Sequence, residues 1–459
     1  MRKKLLIAAL SSGSGKTTLT MGLLRALRNR GVKVQPFKCG PDYIDTKWHE
    51  LACGQESVNL DPWMQGEHMA SLLARYGCWA DVCVTEGAMG LFDGYDLWHG
   101  SAAEVARANA SDIVLVVNAK SAAYSVAALI VGAQQLLKDK FGMERGVCGV
   151  IFNNVGSESH FRFLEAACQD IGANCFGYLP KSQDIELPSR HLGLTIDERF
   201  RADALMERIA ALVEAHIDLG RMMSGASAVG AAAETTAEIA SELNATNTLQ
   251  PNVPMSFPFF PDQHFSRIAI ARDEAFNFTY RANIDSLREM SDELIFFSPM
   301  NDEVLPADTS LLYLPGGYPE FFIEKLSSNR SMMQSVREYA ERGGYVFAEC
   351  GGMLYLSESI VGIDGKRYPL SGVLPLEGTF EGMRLHLGYR QFAWEQTGVD
   401  GQTEQCSLRG HEFHYSDIRP TGSVDTFGQQ TSAKGTAVAT PVYRKQHVVA
   451  SYTHFYWAH

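Results

Sequence analysis

The sequence predicts an α/β protein built from two mostly parallel-sheet domains in series, and three observations carry that prediction. A phosphate-loop pattern lies at a strand-to-helix junction between Leu5 and Thr18. Short β-rich runs alternate with longer helical stretches from Lys4 to about Asp218 and again from Arg267, as crossover connections between parallel strands require. Between them, Arg221 to Gln263 turns to Ala, Ser, Thr and Asn with little apolar periodicity. At 459 residues the chain exceeds one ordinary core, and a prior of about 150 residues per domain suggests two or three. The expected division is a first domain at 1–220, a linker at 221–263 carrying one weak helix at 232–243, and a second domain at 264–459.

In the first domain, Leu5–Leu10 reads as a buried strand, Ser11–Gly15 as a loop able to curl around an anion, and Thr17–Leu27 as the helix that follows at once. Such a junction aims free N–H groups and a helix dipole at phosphates, so Ser12, Gly13, Ser14, Gly15, Lys16, Thr17 and Thr18 form a candidate nucleoside triphosphate site. Lys16 would serve the outer phosphates and the Thr17 hydroxyl a Mg²⁺ ion. The first glycine usual in this pattern is replaced by Leu10, and Gly13 supplies the extra freedom. Met1–Lys4 and the following apolar run imitate a signal peptide, but the run is short and cleavage there would destroy the loop.

Further strands are expected at 33–38, 82–86, 113–118, 147–153 and 175–179, and ligands collect at the carboxyl ends of such strands. Two of these ends deliver carboxylates beside the phosphate loop: Cys39-Gly-Pro-Asp42-Tyr43-Ile-Asp45-Thr46, and Glu86-Gly-Ala-Met-Gly-Leu-Phe-Asp93-Gly94. Thr17, Asp42 and Glu86 make a reasonable oxygen set for Mg²⁺. The alternative for Asp42, Asp45 and Asp93 is that they cap turns beside Gly and Pro. Asn153 and Asn154 end another strand, where a side-chain amide either reads the edge of a purine or forms a turn.

In the second domain, strands are expected at 267–271, 293–297, 311–314 and 344–348, and two glycine-rich strand ends stand out. One is Leu314-Pro-Gly316-Gly317-Tyr-Pro-Glu320; the other is Ala348-Glu-Cys350-Gly351-Gly352-Met353, where a strand runs through cysteine directly into a helix. That is the pattern of a nucleophile elbow: the helix dipole favours the thiolate, and backbone N–H groups of Gly351 with Gly316 or Gly317 can hold an oxyanion. A base is also needed. His411, His414 and His454 are the late histidines, and spacing alone does not choose among them.

Composition narrows the class. Apolar residues make up 46% and charged ones 20%, and a formal charge of −13 argues against a nucleic-acid surface. No apolar run reaches the roughly 18 residues of a membrane span; the nearest, Ala122–Leu137, is broken by Ser, Gly and Gln. Nine cysteines, an odd count without a C-x-x-C pair, fit reduced thiols and a cytoplasmic setting.

SSGSGKTT, KCGPDYIDT, EGAMGLFDG, DEAFNF (Asp273–Phe278), LPGGYPE, AECGGMLYL and GHEFHYS, in this order across both domains, resemble the glutamine-dependent cobyrinic acid a,c-diamide synthases of corrinoid biosynthesis. The resemblance implies a P-loop NTPase-type ligase domain similar to dethiobiotin synthetase, followed by a class I glutamine amidotransferase-like domain. It implies ATP and glutamine as co-substrates, Mg²⁺, and a corrinoid acceptor contacted around Asp42, Tyr43, Asp45 and Asp93. Cys350 becomes the glutaminase nucleophile and His454 the residue that raises its nucleophilicity. The glutamate that usually follows this histidine in class I enzymes is absent, since the chain reads His454-Phe455-Tyr456, and Ala348 replaces the first glycine of the usual elbow. Related readings are an amidotransferase acting on another tetrapyrrole, such as nickel sirohydrochlorin, and, from a different class, a partitioning ATPase. The latter carries a signature lysine early in the loop, and Ser11–Ser14 has none.

Overall fold

A computed structural model of the chain describes residues 3–182, 185, 196–224, 257–397 and 403–458. The apolar runs of the first half assemble into a seven-stranded sheet of order β3-β2-β4-β1-β5-β6-β7, every neighbouring pair parallel. Its strands are β1 (Lys3–Ala9), β2 (Val34–Cys39), β3 (Val58–Leu60), β4 (Val82–Glu86), β5 (Asp112–Asn118), β6 (Val147–Val155) and β7 (Cys175–Pro180). The expected strands all form; β3 was not anticipated, being only three residues long and bounded by polar turns. Leu5, Leu6 and Ile7 are fully buried because helices cover both faces of the sheet. Helix α1 (Lys16–Asn29) runs from the end of β1, and Gly22 lets it lie close against Ile209 of the helix Ile196–His216.

A second seven-stranded sheet follows. Strands β8 (Phe265–Ala271), β9 (Ser291–Phe297), β10 (Leu311–Leu314), β11 (Tyr345–Glu349) and Val448–Ser451 run parallel, with Val442–Lys445 and Asp425–Thr426 added antiparallel at one edge. Helix Leu219–Ser224 occupies the first residues expected as linker, whereas Phe257, Phe259 and Phe260 already belong to the second domain's aromatic core. The helix expected at 232–243 lies outside the described residues.

A long hairpin, His386–Thr397 and Thr403–His414, joins Thr453–Tyr456 in a separate antiparallel sheet and reaches across to the first domain. Tyr389 donates to Asp61 at 2.5 Å, Arg409 donates to the Trp63 carbonyl at 2.6 Å, and the Tyr43 and Tyr280 hydroxyls meet at 2.6 Å. The carboxyl ends of both parallel sheets therefore face a common seam. Among the described residues no helix is long and apolar enough to cross a membrane.

Candidate active sites

The phosphate loop has the backbone its glycines permit. Gly15 is left-handed at φ 90°, and a Cβ there would strike the Asn153 amide. Asn153 instead donates to the Ser14 carbonyl at 2.9 Å and braces the loop, while Asn154 donates to Asn118 at 3.0 Å. Lys16 folds over the loop and donates to the Met89 carbonyl at 2.5 Å.

Behind the loop lies a buried charge cluster. The Thr17 hydroxyl is 2.7 Å from Glu86 Oε1 and 3.3 Å from Asp45 Oδ2. The Lys38 ammonium lies 2.6 Å from Asp45, 3.0 Å from Glu86 and 3.7 Å from Asp42, and His49 holds the other Glu86 oxygen at 2.7 Å. Burial alone would lower the pKa of Lys38, but these three carboxylates hold it well above its ordinary value. Burial would likewise raise Glu86, yet Lys38 and His49 hold it below the usual carboxylate range. Burial pushes Asp45 up to about 6.

Thr17, Asp45 and Glu86 thus offer the hydroxyl and carboxylate oxygens that suit Mg²⁺. Asp45, not the expected Asp42, is the residue brought against Thr17. Asp42 spends Oδ1 on the N–H groups of Ile44 and Asp45, both at 2.9 Å, in the turn-capping role open to it from the sequence. Asp93 also caps, accepting from the Gly90 N–H at 3.0 Å. Lys38 and His49 were missed: Lys38 lies within the KCGPDYIDT motif but read as a strand residue, and nothing local marks His49.

At its nucleophile the second site has none of the ion pairing of the first among the described residues. Cys350 sits between β11 and the helix Gly351–Leu356 with φ 48° and ψ −107°, the strained backbone of an elbow. The residue is 4% exposed and its thiol faces the Phe413 carbonyl at 3.7 Å; burial pushes its pKa up. A small cavity of about 20 Å³ adjoins it, lined by Gly317, Tyr318, Glu320, Gly351, Phe413 and His414 among others. Gly317 and Gly351 are therefore at the nucleophile, and Gly316 lies against the ring of His454, where any Cβ would clash.

His454 is fully buried, packs on Tyr43 with ring centroids 4.8 Å apart, and has no hydrogen-bond partner among the described residues at either ring nitrogen. Burial lowers its pKa to about 3, so its imidazole is neutral near pH 7. Glu349 accepts from the N–H of Phe455, the residue after His454, at 2.7 Å and does not bond the imidazole. His414 lines the cavity but is occupied on both nitrogens, by the Ser416 carbonyl at 2.7 Å and Glu412 at 2.8 Å. His386, Glu412 and His414 gather possible metal-ligating atoms, yet Arg390 and Thr440 already hold Glu412 at 2.5 and 2.8 Å.

A larger cavity, about 610 Å³, opens along the seam between the domains. Asp42, Tyr43, Met89 and Tyr95 line it from the first domain and Tyr389, Arg390, His411 and Lys434 from the second. Of the four expected acceptor contacts it includes Asp42 and Tyr43 but neither Asp45 nor Asp93. Phe278 and Phe413 line this cavity and the Cys350 cavity alike, so the partition between the two is one residue thick.

Comparison with known proteins agrees with this two-site layout. Residues 5–194 match the family described as CobQ/CobB/MinD/ParA nucleotide binding domain, and residues 267–459 match the CobB/CobQ-like glutamine amidotransferase domain. Hydrogenobyrinate a,c-diamide synthase of Brucella abortus biovar 1 is 38% identical over 455 residues, 98% of each chain. Cobyrinate a,c-diamide synthase of Syntrophotalea carbinolica is 37% identical over 99% of this chain and 95% of its own. The enzyme of that name from Listeria innocua serovar 6a is 36% identical over 99% of this chain and 96% of its own.

Proposed function

The chain belongs to the cobyrinate and hydrogenobyrinate a,c-diamide synthase family of glutamine-hydrolysing, amide-forming ligases, and from that premise we propose that it uses ATP and glutamine to amidate the a and c carboxylates of cobyrinate through acyl phosphates. The observation that carries the reading is the pair of adjoining cavities: one holds a strained buried cysteine, and the other, about 610 Å³, opens beside Met89, whose carbonyl accepts from Lys16 of the phosphate loop. A partitioning ATPase has no use for either feature.

In the glutaminase half, neutral His454 accepts the Cys350 proton as the sulfur attacks the glutamine carboxamide. N–H groups of Gly351 and of the Gly316–Gly317 loop hold the oxyanion. The proton passes to the departing nitrogen, ammonia leaves, and water cleaves the thioester to release glutamate. In the ligase half, a corrinoid carboxylate attacks the γ-phosphorus in line, the bond to the bridging oxygen breaks, and ADP departs. Lys16 balances the charge on the phosphates. Mg²⁺, held by Thr17, Asp45 and Glu86, would supply further charge neutralisation there. Ammonia then displaces phosphate from the acyl carbon. Activation is required because a carboxylate is a poor electrophile at neutral pH, and the thin aromatic partition shortens the distance over which ammonia would otherwise be protonated.

The test is amide and phosphate formation with cobyrinate, using glutamine or ammonium, in wild type and Cys350→Ala. The variant is expected to lose glutamine-dependent product by more than about a thousandfold while ammonium still amidates two carboxylates. Glutaminase activity with neither amide nor phosphate from cobyrinate would overturn the acceptor, and parallel assays with hydrogenobyrinate and nickel sirohydrochlorin would identify the replacement.

A further inference from the structure

The Cys350 cavity contains one charged group that the glutaminase chemistry above leaves unused. Glu320 ends the LPGGYPE segment in the short turn Pro319–Phe321 and lines the cavity together with Cys350, Gly317 and Gly351. It is half-buried and unpaired: among the described residues no lysine, arginine or histidine comes within ion-pair distance of it, and its only hydrogen bond is with its own backbone. This contrasts with the other carboxylates around the elbow. Glu349 is held by Tyr313 and the Phe455 N–H, and Glu412 by Arg390, His414 and Thr440.

A half-buried carboxylate without a partner is costly, and burial pushes this one up to about 7. An arriving cation would remove that cost. Glu320 and Cys350 line one small cavity of about 20 Å³, so a substrate whose amide carbon meets the thiol brings its remaining groups near this carboxylate. Of the groups on glutamine, only the α-ammonium is positive.

We propose that Glu320 is the recognition residue for the α-ammonium group of glutamine, so that the enzyme selects a free amino acid over other primary carboxamides. The inference rests on the glutaminase reading of Cys350 and adds to it the part of the substrate that does not react. Glu320 touches substrate but no reacting atom, so its loss acts on binding and selection more than on turnover. Its negative charge also sits close enough to oppose ionisation of Cys350, after burial the largest influence on that thiol. Pairing it with the α-ammonium would ease that opposition only when the correct substrate is bound.

The experiment measures release of ammonia from glutamine and from 4-carbamoylbutanoate, which lacks the α-ammonium, with wild type, Glu320→Gln and Glu320→Asp. A charge-assisted hydrogen bond of ordinary strength predicts that Glu320→Gln raises KM for glutamine about tenfold to a hundredfold with a much smaller change in kcat. The preference for glutamine over 4-carbamoylbutanoate should collapse by a similar factor, and Glu320→Asp should restore part of it. Thermal melting of each variant separates misfolding from lost recognition. An unchanged preference in a folded Glu320→Gln overturns the proposal, as does an equal loss towards both amides, which would mark a structural role. A wild type that hydrolyses neither amide refutes the glutaminase reading itself.

Discussion

The two reaction centres face one seam but handle charge in opposite ways. At the phosphate loop, Lys38, Asp45, Glu86 and His49 are buried together with Thr17 and Asp42 at their edge, and Lys38 has Asp45 and Glu86 within hydrogen-bond distance and Asp42 at 3.7 Å. At the elbow, Cys350 and His454 are buried without an ion-pair partner among the described residues, and both are held in their neutral forms. The difference follows from the work proposed for each. A site that receives a triphosphate must keep its cations and carboxylates ionised before the ligand arrives, which pairing achieves. A site that forms a nucleophile only when an amide is present can leave its acid and base uncharged at rest, which desolvation achieves.

The sharpest way to break the comparison is to remove the cation from the charged centre. Lys38→Met leaves three carboxylates without their common counter-charge, and an uncompensated buried charge costs about 3–5 kcal/mol. The variant should lose amidation with both glutamine and ammonium and melt at lower temperature, while glutamine hydrolysis by the folded fraction persists. Preserved ligase activity would show that the cluster does not organise the phosphate site.

A smaller effect is expected from the elbow. His454→Gln should reduce glutamine hydrolysis by about a hundredfold or more, the usual contribution of a positioned base, without slowing ammonium-dependent amidation. The same variant sharpens the claim that His454 is neutral. A histidine held at about 3 when folded and near 6.5 when unfolded binds more protons unfolded, so its contribution to stability is complete above about pH 6.5 and is lost as pH falls towards 3. Denaturant titrations of wild type over that window should therefore slope downward with acid more steeply than those of His454→Gln, by up to about 1.4 kcal/mol per pH unit. Parallel slopes would mean that the imidazole titrates freely.

Legibility in the sequence divides along a different line from charge. The phosphate loop and the elbow were readable because each is a strand, a few small residues and a helix in direct succession, so local backbone chemistry specifies them. Glu86 was readable for the same reason, as a strand-terminal carboxylate in a glycine-flanked loop. What the sequence did not display was created by contacts between distant segments. Lys38 reaches Glu86 across 48 residues, His49 reaches it across 37, and the Tyr43–Tyr280 pair spans 237. Asp42 was expected beside Thr17, but the turn assigns its Oδ1 to two N–H groups and it is Asp45 that meets the Thr17 hydroxyl. The strand β3 escaped because three residues show no periodicity.

The smallest predicted effect tests whether the two centres act as one device. Phe413 places its carbonyl against the Cys350 thiol while lining the cavity on the far side, and Phe278, the other shared residue, stacks on Tyr43 at 5.0 Å. Ammonia released at Cys350 that passes this wall directly never equilibrates with water. With amide-labelled glutamine and excess unlabelled ammonium, wild type should therefore place mainly labelled nitrogen in the product. Phe413→Ala opens the partition without touching a reacting atom, so both half-reactions should continue while unlabelled nitrogen enters several-fold more often. An unchanged label ratio in Phe413→Ala would remove this residue from the ammonia route. Full exchange already in wild type would go further, because two centres that trade ammonia through bulk solvent would need no shared wall, and their contrast in charge would reflect two neighbouring enzymes and not one coupled reaction.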